Sequence, residues 1–528
     1  MNKAYPYYKH KDINDFNELL EFNLDKKDEI AFFYKDESRN IVYKTYYDFY
    51  NDVNCLKKYI GNKYKNKHIA IVGENSYNWL TIFFAIVLSN NIAVIIDKDL
   101  SEDDMNALLK KSNTNIIFYS KGYCEFLGKQ KKYAKYEIEN IANYINKGKI
   151  SKEIKVKLKN NKPAVMFFTS GTTGANKGVL LSQRNITYDI VAACSLFKSD
   201  GGNVFSVLPF NHSFGLVISA LTPFYYGRPI FLCSSLKNVL ADIKTAKPST
   251  MFLVPIFIET FYRQIWHKAR KQKKDKGLKL LIKVNKGISK LGIDVRNKLF
   301  KSIINEFGGE LKYIICGGAY LDKKYIQWFR NIGIEILNGY GITECSPVVS
   351  VNRNQHYRDG SVGQLIKGCK AKIKDGEILV KGENVMLGYY KDKKSTNEVL
   401  KDGWFHTGDL GYIDEENFLF ITGRKKNLII LSNGENVLPE EIEAKLCSDK
   451  AVREVVVYEQ DNKIIAAIYP NDDYMGDNKY FNSLIYKYNR TVPKNHQVAM
   501  VRLRTTEFIK NNNKKILRNK VMEEYKNG

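Results

Sequence analysis

Cysteine is sparse and scattered, with eight residues at 55, 124, 194, 233, 316, 345, 369 and 447 and no Cys-x-x-Cys pair. Such spacing supports neither a zinc site nor a disulfide framework, so a reducing compartment is the default. Long hydrophobic runs are missing too. The apolar stretches near 81–97 and 204–226 are interrupted by Asn90, Asn91, Asn211 and His212, and neither reads as a membrane span. The opening residues, MNKAYPYYKHKDINDFNE, have no apolar core of the kind a secretory leader needs. A soluble, cytoplasmic protein is therefore expected. No internal repeat or low-complexity tract is present. Acidic residues are in the minority, 57 against 83 Lys and Arg, for a net charge of +26. That excess suits nucleic acid, an anionic membrane surface or acidic small molecules. It also suits a chain rich throughout in Lys, Asn, Ile and Tyr, as an A/T-rich genome produces. The interleaved aromatic and basic signature of RNA binding is absent, so no nucleic-acid partner is expected.

What is present is ample apolar material, 44% of 528 residues, more than one core usually serves, so two or more domains are expected. The chain is organised around VMFFTSGTTGANKGVLL, residues 165–181. Two β-favouring runs flank small and hydroxylated residues that close on Lys177, which reads as strand, turn, strand. Gly171, Gly174 and Gly178 permit positive φ and close backbone approach. Thr169, Ser170, Thr172 and Thr173 add hydroxyl donors, and Lys177 a point charge suited to phosphate. The loop of the common NTPases needs glycine before its lysine; here Asn176 stands there. An ordinary Ser/Thr/Gly-rich hairpin is the bland alternative.

Upstream, IAFFYK and IVYKTY read as strands around a turn at 36–40, HIAIVGENS as a buried strand, 76–88 as a helix and 91–97 as strand again. This alternation implies parallel sheet covered by helices, an α/β fold. Asn185 is the expected cap of a helix running to Phe197. VFSVLPFNHSFGL is a strand leading to a loop with His212, a residue more often structural than functional in such a setting. Residues 267–301 carry 13 Lys or Arg and two acids, with Leu281, Val284, Ile288, Leu291, Val295 and Leu299 at helical spacing. This basic amphipathic segment reads either as a solvated insertion packing one face on the body or as a site of peripheral contact with anionic lipid.

TSGTTGANKGV, followed in order by LKYIICGGAYL, NGYGITECSPV, GWFHTGDLGYID, FITGRKKNLIILSNGENVLPEEIE and EFIKNNNKKILRNK, resembles the adenylate-forming, AMP-binding superfamily and in particular bacterial long-chain fatty acid–CoA ligases. The resemblance runs from about Tyr43 to Arg518. It implies a large N-terminal domain, residues 1–425, of αβα-layered sheets plus a small β subdomain. A smaller mobile C-terminal α/β domain would occupy 426–528. It implies ATP contacts from Thr169, Ser170, Gly171, Thr172, Thr173, Gly174 and Lys177, then from Gly317, Gly318, Ala319, Asn338, Gly339, Tyr340, Gly341 and Thr343, with Tyr340 stacking on adenine. Glu344 would hold Mg2+, and Asp409 with Arg424 the ribose. His212, Gly318 and Gly341 would line the acyl pocket, Gly434 the coenzyme A tunnel, and Lys426 would be the hinge. The catalytic lysine is assigned to Lys515, although Ile509, Asn511 and Lys514 replace the proline, threonine and glycine usual there, and the adjacent Lys514 competes for the role.

The activity so implied is a ligase that forms an acyl-adenylate from ATP and a medium- or long-chain fatty acid, then passes the acyl group to coenzyme A. Loading of an acyl carrier protein in trans is the alternative within the class, and a non-catalytic nucleotide or acyl sensor the alternative outside it. A cytoplasmic location, with peripheral contact at the inner membrane face through 267–301, completes the expectation.

Overall fold

The computed structural model describes residues 5–123, 127, 132–154, 156–170, 176–233, 235–289, 293–431, 435–510 and 516–526. The chain forms two compact units, one of Met1–Ala371, Val380–Phe405 and Asp414–Leu419, the other of Lys372–Leu379, His406–Ile413 and Phe420–Gly528.

The first unit is built on two sheets. The nine-stranded sheet has at its centre six parallel strands in the order Glu335–Gly341, Tyr313–Cys316, Pro248–Leu253, Asn203–Ser206, Ile230–Leu232 and Ile30–Lys35. Antiparallel strands close both edges: Ile41–Thr45 at one, Val348–Val351 and then Gln364–Leu365 at the other. The seven-stranded sheet runs Gly388–Tyr389, Asn176–Ser182, Pro163–Ser170, Ile92–Ile96, His68–Val72, Ile116–Tyr119, Ala134–Glu137. Its inner strands are continuous apolar runs, as burial on both faces demands. The helix Tyr77–Leu88 is buried along its length, including the polar Thr81, whose hydroxyl donates to the Tyr77 carbonyl at 2.9 Å. Ser76 caps it, accepting from the Trp79 N–H at 3.1 Å.

The cap expected at Asn185 is Ser182. The helix Gln183–Cys194 opens with a reciprocal box in which the Ser182 hydroxyl accepts the Asn185 N–H and the Asn185 side chain accepts the Ser182 N–H. Asn185 is the third helical residue because strand Asn176–Ser182 runs directly into the helix, leaving Ser182 as the last extended position. Gly178, expected in a turn, lies within that strand, where a Cβ would press on Met166 Sδ at 3.1 Å; its value is close approach.

The basic segment is helical, but its phase differs from expectation. Helix Pro255–Lys271 is followed by Lys273, with φ of 55°, and then by helix Asp275–Ser289. The second helix turns Leu278 and Asn285 inward at 8% and 1% exposure, with Ile282 packed beside Leu278. Leu280, Leu281 and Val284 are left at 61%, 36% and 43% exposure. Asn285 decides the phase, since its amide donates to the Asn331 carbonyl at 3.0 Å.

In the second unit, strands Val452–Gln460, Lys463–Pro470 and Met500–Leu503 form a sheet with apolar residues on both faces. Val457, Ala466 and Ile468 pack with Ile442, Phe481 and Ile485 on one side; Val456, Ala467 and Phe508 pack with Val521 on the other. The strand period of two thus serves two helical layers. Both units are α/β. Among the described residues no helix is long and apolar enough to cross a membrane.

Candidate active site

Three of the sequence motifs fall at or beyond the carboxyl ends of parallel strands in the nine-stranded sheet, where open α/β sheets place ligands. His212 follows strand Asn203–Ser206, Gly317 to Ala319 follow Tyr313–Cys316, and Asn338 to Gly341 end the next strand. The register aligns Cys316 with Asn338. The structure therefore gathers these residues along one edge, and a hydrogen bond of 3.2 Å between the hydroxyls of Ser213 and Thr343 ties the histidine loop to the last motif.

Gly318 has φ of +85°, a left-handed conformation that disfavours any side chain, while a Cβ on Gly317 would meet the Phe214 ring at 3.4 Å. Gly341 is tighter still: a Cβ there would lie 2.2 Å from the Pro347 carbonyl oxygen. The Asn338 side chain is buried; its amide nitrogen reaches the Ser361 carbonyl at 3.5 Å, and its Oδ1 has no hydrogen-bond partner among the described residues. A buried acceptor left without a donor is costly unless a ligand supplies one. His212 is half-buried, with Nε2 3.4 Å from the Asn211 amide.

The phosphate-loop hairpin is as expected in its strands: Thr169 pairs with Lys177 and Ser170 with Asn176. Gly171, Thr172, Thr173 and Gly174 lie outside the described residues. The edge strand Gly388–Tyr389 pairs with Leu180 and Val179. Because alternate residues share a face, Tyr389 and Lys177 become diagonal neighbours, and the lysine Nζ stands 5.0 Å from the ring centroid. The Tyr389 phenol donates to Glu344 Oε1 at 2.9 Å, and the Met386 N–H donates to the Glu344 carbonyl at 2.8 Å. Tyr389 carries no motif signal and was missed in the sequence.

Asp189 was missed as well. Wholly buried on helix Gln183–Cys194, it accepts the Val348 N–H at 3.1 Å and so anchors the chain beyond Glu344. Burial pushes its carboxyl well above the usual carboxylate range.

In the second unit, Arg424 Nε donates to Asp409 Oδ1 at 2.7 Å; the carboxylate is 3% exposed and the guanidinium 42%. The adjoining turn is held by Glu377, another residue without a motif, which accepts from the Gly408 N–H at 3.0 Å and from Lys425 at 2.9 Å. Burial opposes ionisation of Glu377, but Lys425, the Gly408 N–H and His406 prevail and hold its carboxyl below the ordinary value. Lys426 has its ammonium partly desolvated and pressed by the Arg424 charge, both of which lower its pKa. Gly434, Lys514 and Lys515 lie outside the described residues.

Residues 21–390 match the AMP-binding enzyme family, and residues 426–528 match the AMP-binding enzyme C-terminal domain. Long-chain-fatty-acid–CoA ligase FadD15 of Mycobacterium bovis is 27% identical over 436 residues, 76% of this chain and 72% of its own length. Long-chain-fatty-acid–CoA ligase 5 of Mus musculus is 31% identical over 336 residues, 59% of this chain and 49% of its own. The chain thus spans about half the length of the mouse relative. Among solved structures, anthranilate CoA ligase AuaEII in complex with anthranoyl-AMP superposes with a TM-score of 0.80 at 18% identity, covering 99% of this chain and 98% of that one. O-succinylbenzoate coenzyme A synthetase of Bacillus subtilis, with ATP and magnesium ion, gives 0.75 at 22%, covering 96% and 99%. The first match alone spans well over half of the chain, and a second follows it in sequence. This chain belongs to the AMP-binding enzyme family.

Proposed function

We propose that the chain is an AMP-forming acid–thiol ligase that activates a fatty acid with ATP and transfers the acyl group to coenzyme A. The observation that carries this reading is the link from Lys177 through Tyr389 to Glu344, which sets a phosphate-seeking cation and a hard carboxylate around one aromatic ring. The long-chain-fatty-acid–CoA ligase relatives support the choice of acid and acceptor.

Among the described residues no group of three or more His, Cys, Asp or Glu is placed to cage a metal. A single carboxylate fits Mg2+, whose remaining positions go to substrate phosphates and water, so Glu344 is the residue that would hold it. When bound, the ion supplies charge neutralisation on the phosphates. The rest falls to the chain. Lys177, with the hydroxyls and N–H groups of 169–174, cradles the phosphates; Tyr340 stacks on adenine; Asn338 Oδ1, which has no partner among the described residues, accepts from its exocyclic amine; and Asp409, oriented by Arg424, receives the ribose hydroxyls.

A carboxylate needs no general base, so positioning and charge cancellation dominate. Its oxygen bonds to the α-phosphorus as the bond to pyrophosphate breaks, with Lys515 spanning the two anions. The thiol then attacks the acyl carbon and AMP departs. Lys426 is the pivot at which the 426–528 domain turns away from the 1–425 domain between the steps. His212, Gly318 and Gly341 line the acyl pocket and Gly434 the thiol tunnel. The exposed Leu280, Leu281 and Val284, bordered by Lys276, Lys279 and Lys283, form a surface suited to anionic lipid, where long-chain acids partition.

The test is pyrophosphate release from purified protein with ATP and Mg2+ across acids from acetate to palmitate, with and without coenzyme A. Turnover that rises with chain length and needs coenzyme A supports the reading. A single burst unaffected by coenzyme A assigns a carrier-protein thiol instead, and no release with any acid overturns it.

A further inference from the structure

The first unit contains a cleft of about 590 Å³, lined by Tyr8 to His10, Lys26, Phe197 to Ser199, Gly201, Gly202 and the segment Tyr226 to Pro229. None of these residues belongs to the candidate active site. The volume is that of a small-molecule pocket. Its lining carries Lys9, Lys26, Lys198, Arg228 and His10, and no carboxylate.

Arg228 is 8% exposed, yet every hydrogen bond it makes goes to a neutral group: the carbonyls of Gly202 at 2.5 Å and of Gly201, and the hydroxyls of Ser249 at 2.8 Å and of Ser199. A buried cation is ordinarily paired with an acid. The acid nearest in effect, Asp200, is engaged elsewhere, accepting from the Tyr313 phenol at 3.0 Å and lying 3.9 Å from Lys312. Burial accordingly pushes the Arg228 pKa down to about 10. His10, whose ring meets Tyr226 edge-on at 5.4 Å, has its pKa pushed down by burial, so the cationic charge of the cleft comes from the three lysines and Arg228. Positive charge with no carboxylate in contact and the aromatic walls of Tyr8, Phe197 and Tyr226 converge on one concavity.

We propose that this cleft binds a phosphate-bearing small molecule at a site distinct from the one that holds ATP. Lys9, Lys26 and Lys198 contact the anion, and Arg228 supplies field from behind while it shapes the loop 197–202. Phosphate fits because several flexible ammonium groups can converge on its oxygens, each charge-assisted contact being stronger than a neutral one.

The experiment is calorimetric titration of the full chain with inorganic triphosphate as probe, against Lys177→Ala and against the triple variant K9Q/K26Q/K198Q. Two saturable sites are expected in the unaltered protein. K9Q/K26Q/K198Q weakens one of them about tenfold or more and leaves the KM for ATP unchanged, whereas Lys177→Ala weakens only the other. Neutralising surface lysines leaves the fold's packing alone; Lys198→Gln by itself, read by the same titration, guards against an unfolded triple variant. A single site sensitive to Lys177→Ala and indifferent to the glutamine variants overturns the proposal, as does uptake that never saturates. The outcome does not depend on which acid the enzyme activates.

Discussion

Tyr389 and Glu344 are joined by a 2.9 Å hydrogen bond in which the phenol donates to the carboxylate. Burial first, and then the negative charge of Glu344, push the phenol's pKa up, so it remains a donor throughout the working range. The bond leaves one face of the carboxylate oriented while the ring engages Lys177. Tyr389→Phe keeps the ring and removes the donor. A hydrogen bond to a charged group is worth about 2 kcal/mol, so kcat/KM should fall roughly thirtyfold, with the Mg2+ requirement shifted upward. An unchanged Mg2+ titration in pyrophosphate release would show that the phenol does not orient Glu344.

Asp409→Asn retains shape but loses the charge that pairs with Arg424 and that would receive two ribose hydroxyls. The KM for ATP should rise about tenfold or more, with a smaller change in kcat. Steady-state kinetics at varied ATP and saturating acid would separate this from a folding defect, which would lower the active fraction and leave KM as it was.

Glu377 has its carboxyl held below the ordinary value in the folded chain, so its contribution to stability is full above about pH 4.5 and is lost as pH falls through the folded pKa. The melting temperature of Glu377→Gln should lie below that of the unaltered protein near neutrality, and the gap should narrow in acid. A gap independent of pH would mean that the glutamate acts through packing alone.

Lys515→Ala should reduce pyrophosphate release about a hundredfold while sparing thioester formation from supplied acyl-adenylate, and Lys514→Ala should leave both near normal. The reverse pattern would transfer the catalytic role to Lys514.

Leu280 and Val284, at 61% and 43% exposure, lie on the outer stripe of helix Asp275–Ser289. Replacing both with glutamate should weaken association with phosphatidylglycerol-containing vesicles by about tenfold without altering turnover of a soluble medium-chain acid. Equal sedimentation of both proteins with the vesicles would confine this helix to a solvated role.

The strands 30–35, 41–45, 68–72 and 92–96 and the hairpin around the phosphate loop were legible because each is a local apolar run bounded by turn residues. The ordered motifs were legible too, since a nucleotide site made from loops after strands leaves short, dense strings of glycine, hydroxyl and charge. What failed was phase. Ser182 and Asn185 both have cap chemistry, and only the reach of the preceding strand decides between them. Helix 275–289 carries two stripes at helical spacing, and only the Asn331 carbonyl, which receives Asn285, decides which one turns inward.

By itself, then, the sequence determined the elements, the α/β class and the identity of the motif residues, all of which depend on near neighbours along the chain. Only the tertiary structure decided that Tyr389 stands between Lys177 and Glu344, that Asp189 anchors Val348, and that five basic groups share one cleft. The partners in these pairs lie 212, 45 and 159 positions apart in the chain, and the cleft joins residues near 9 to others near 228. Strand pairing and burial bring them together, and neither leaves a pattern within any single stretch of the sequence.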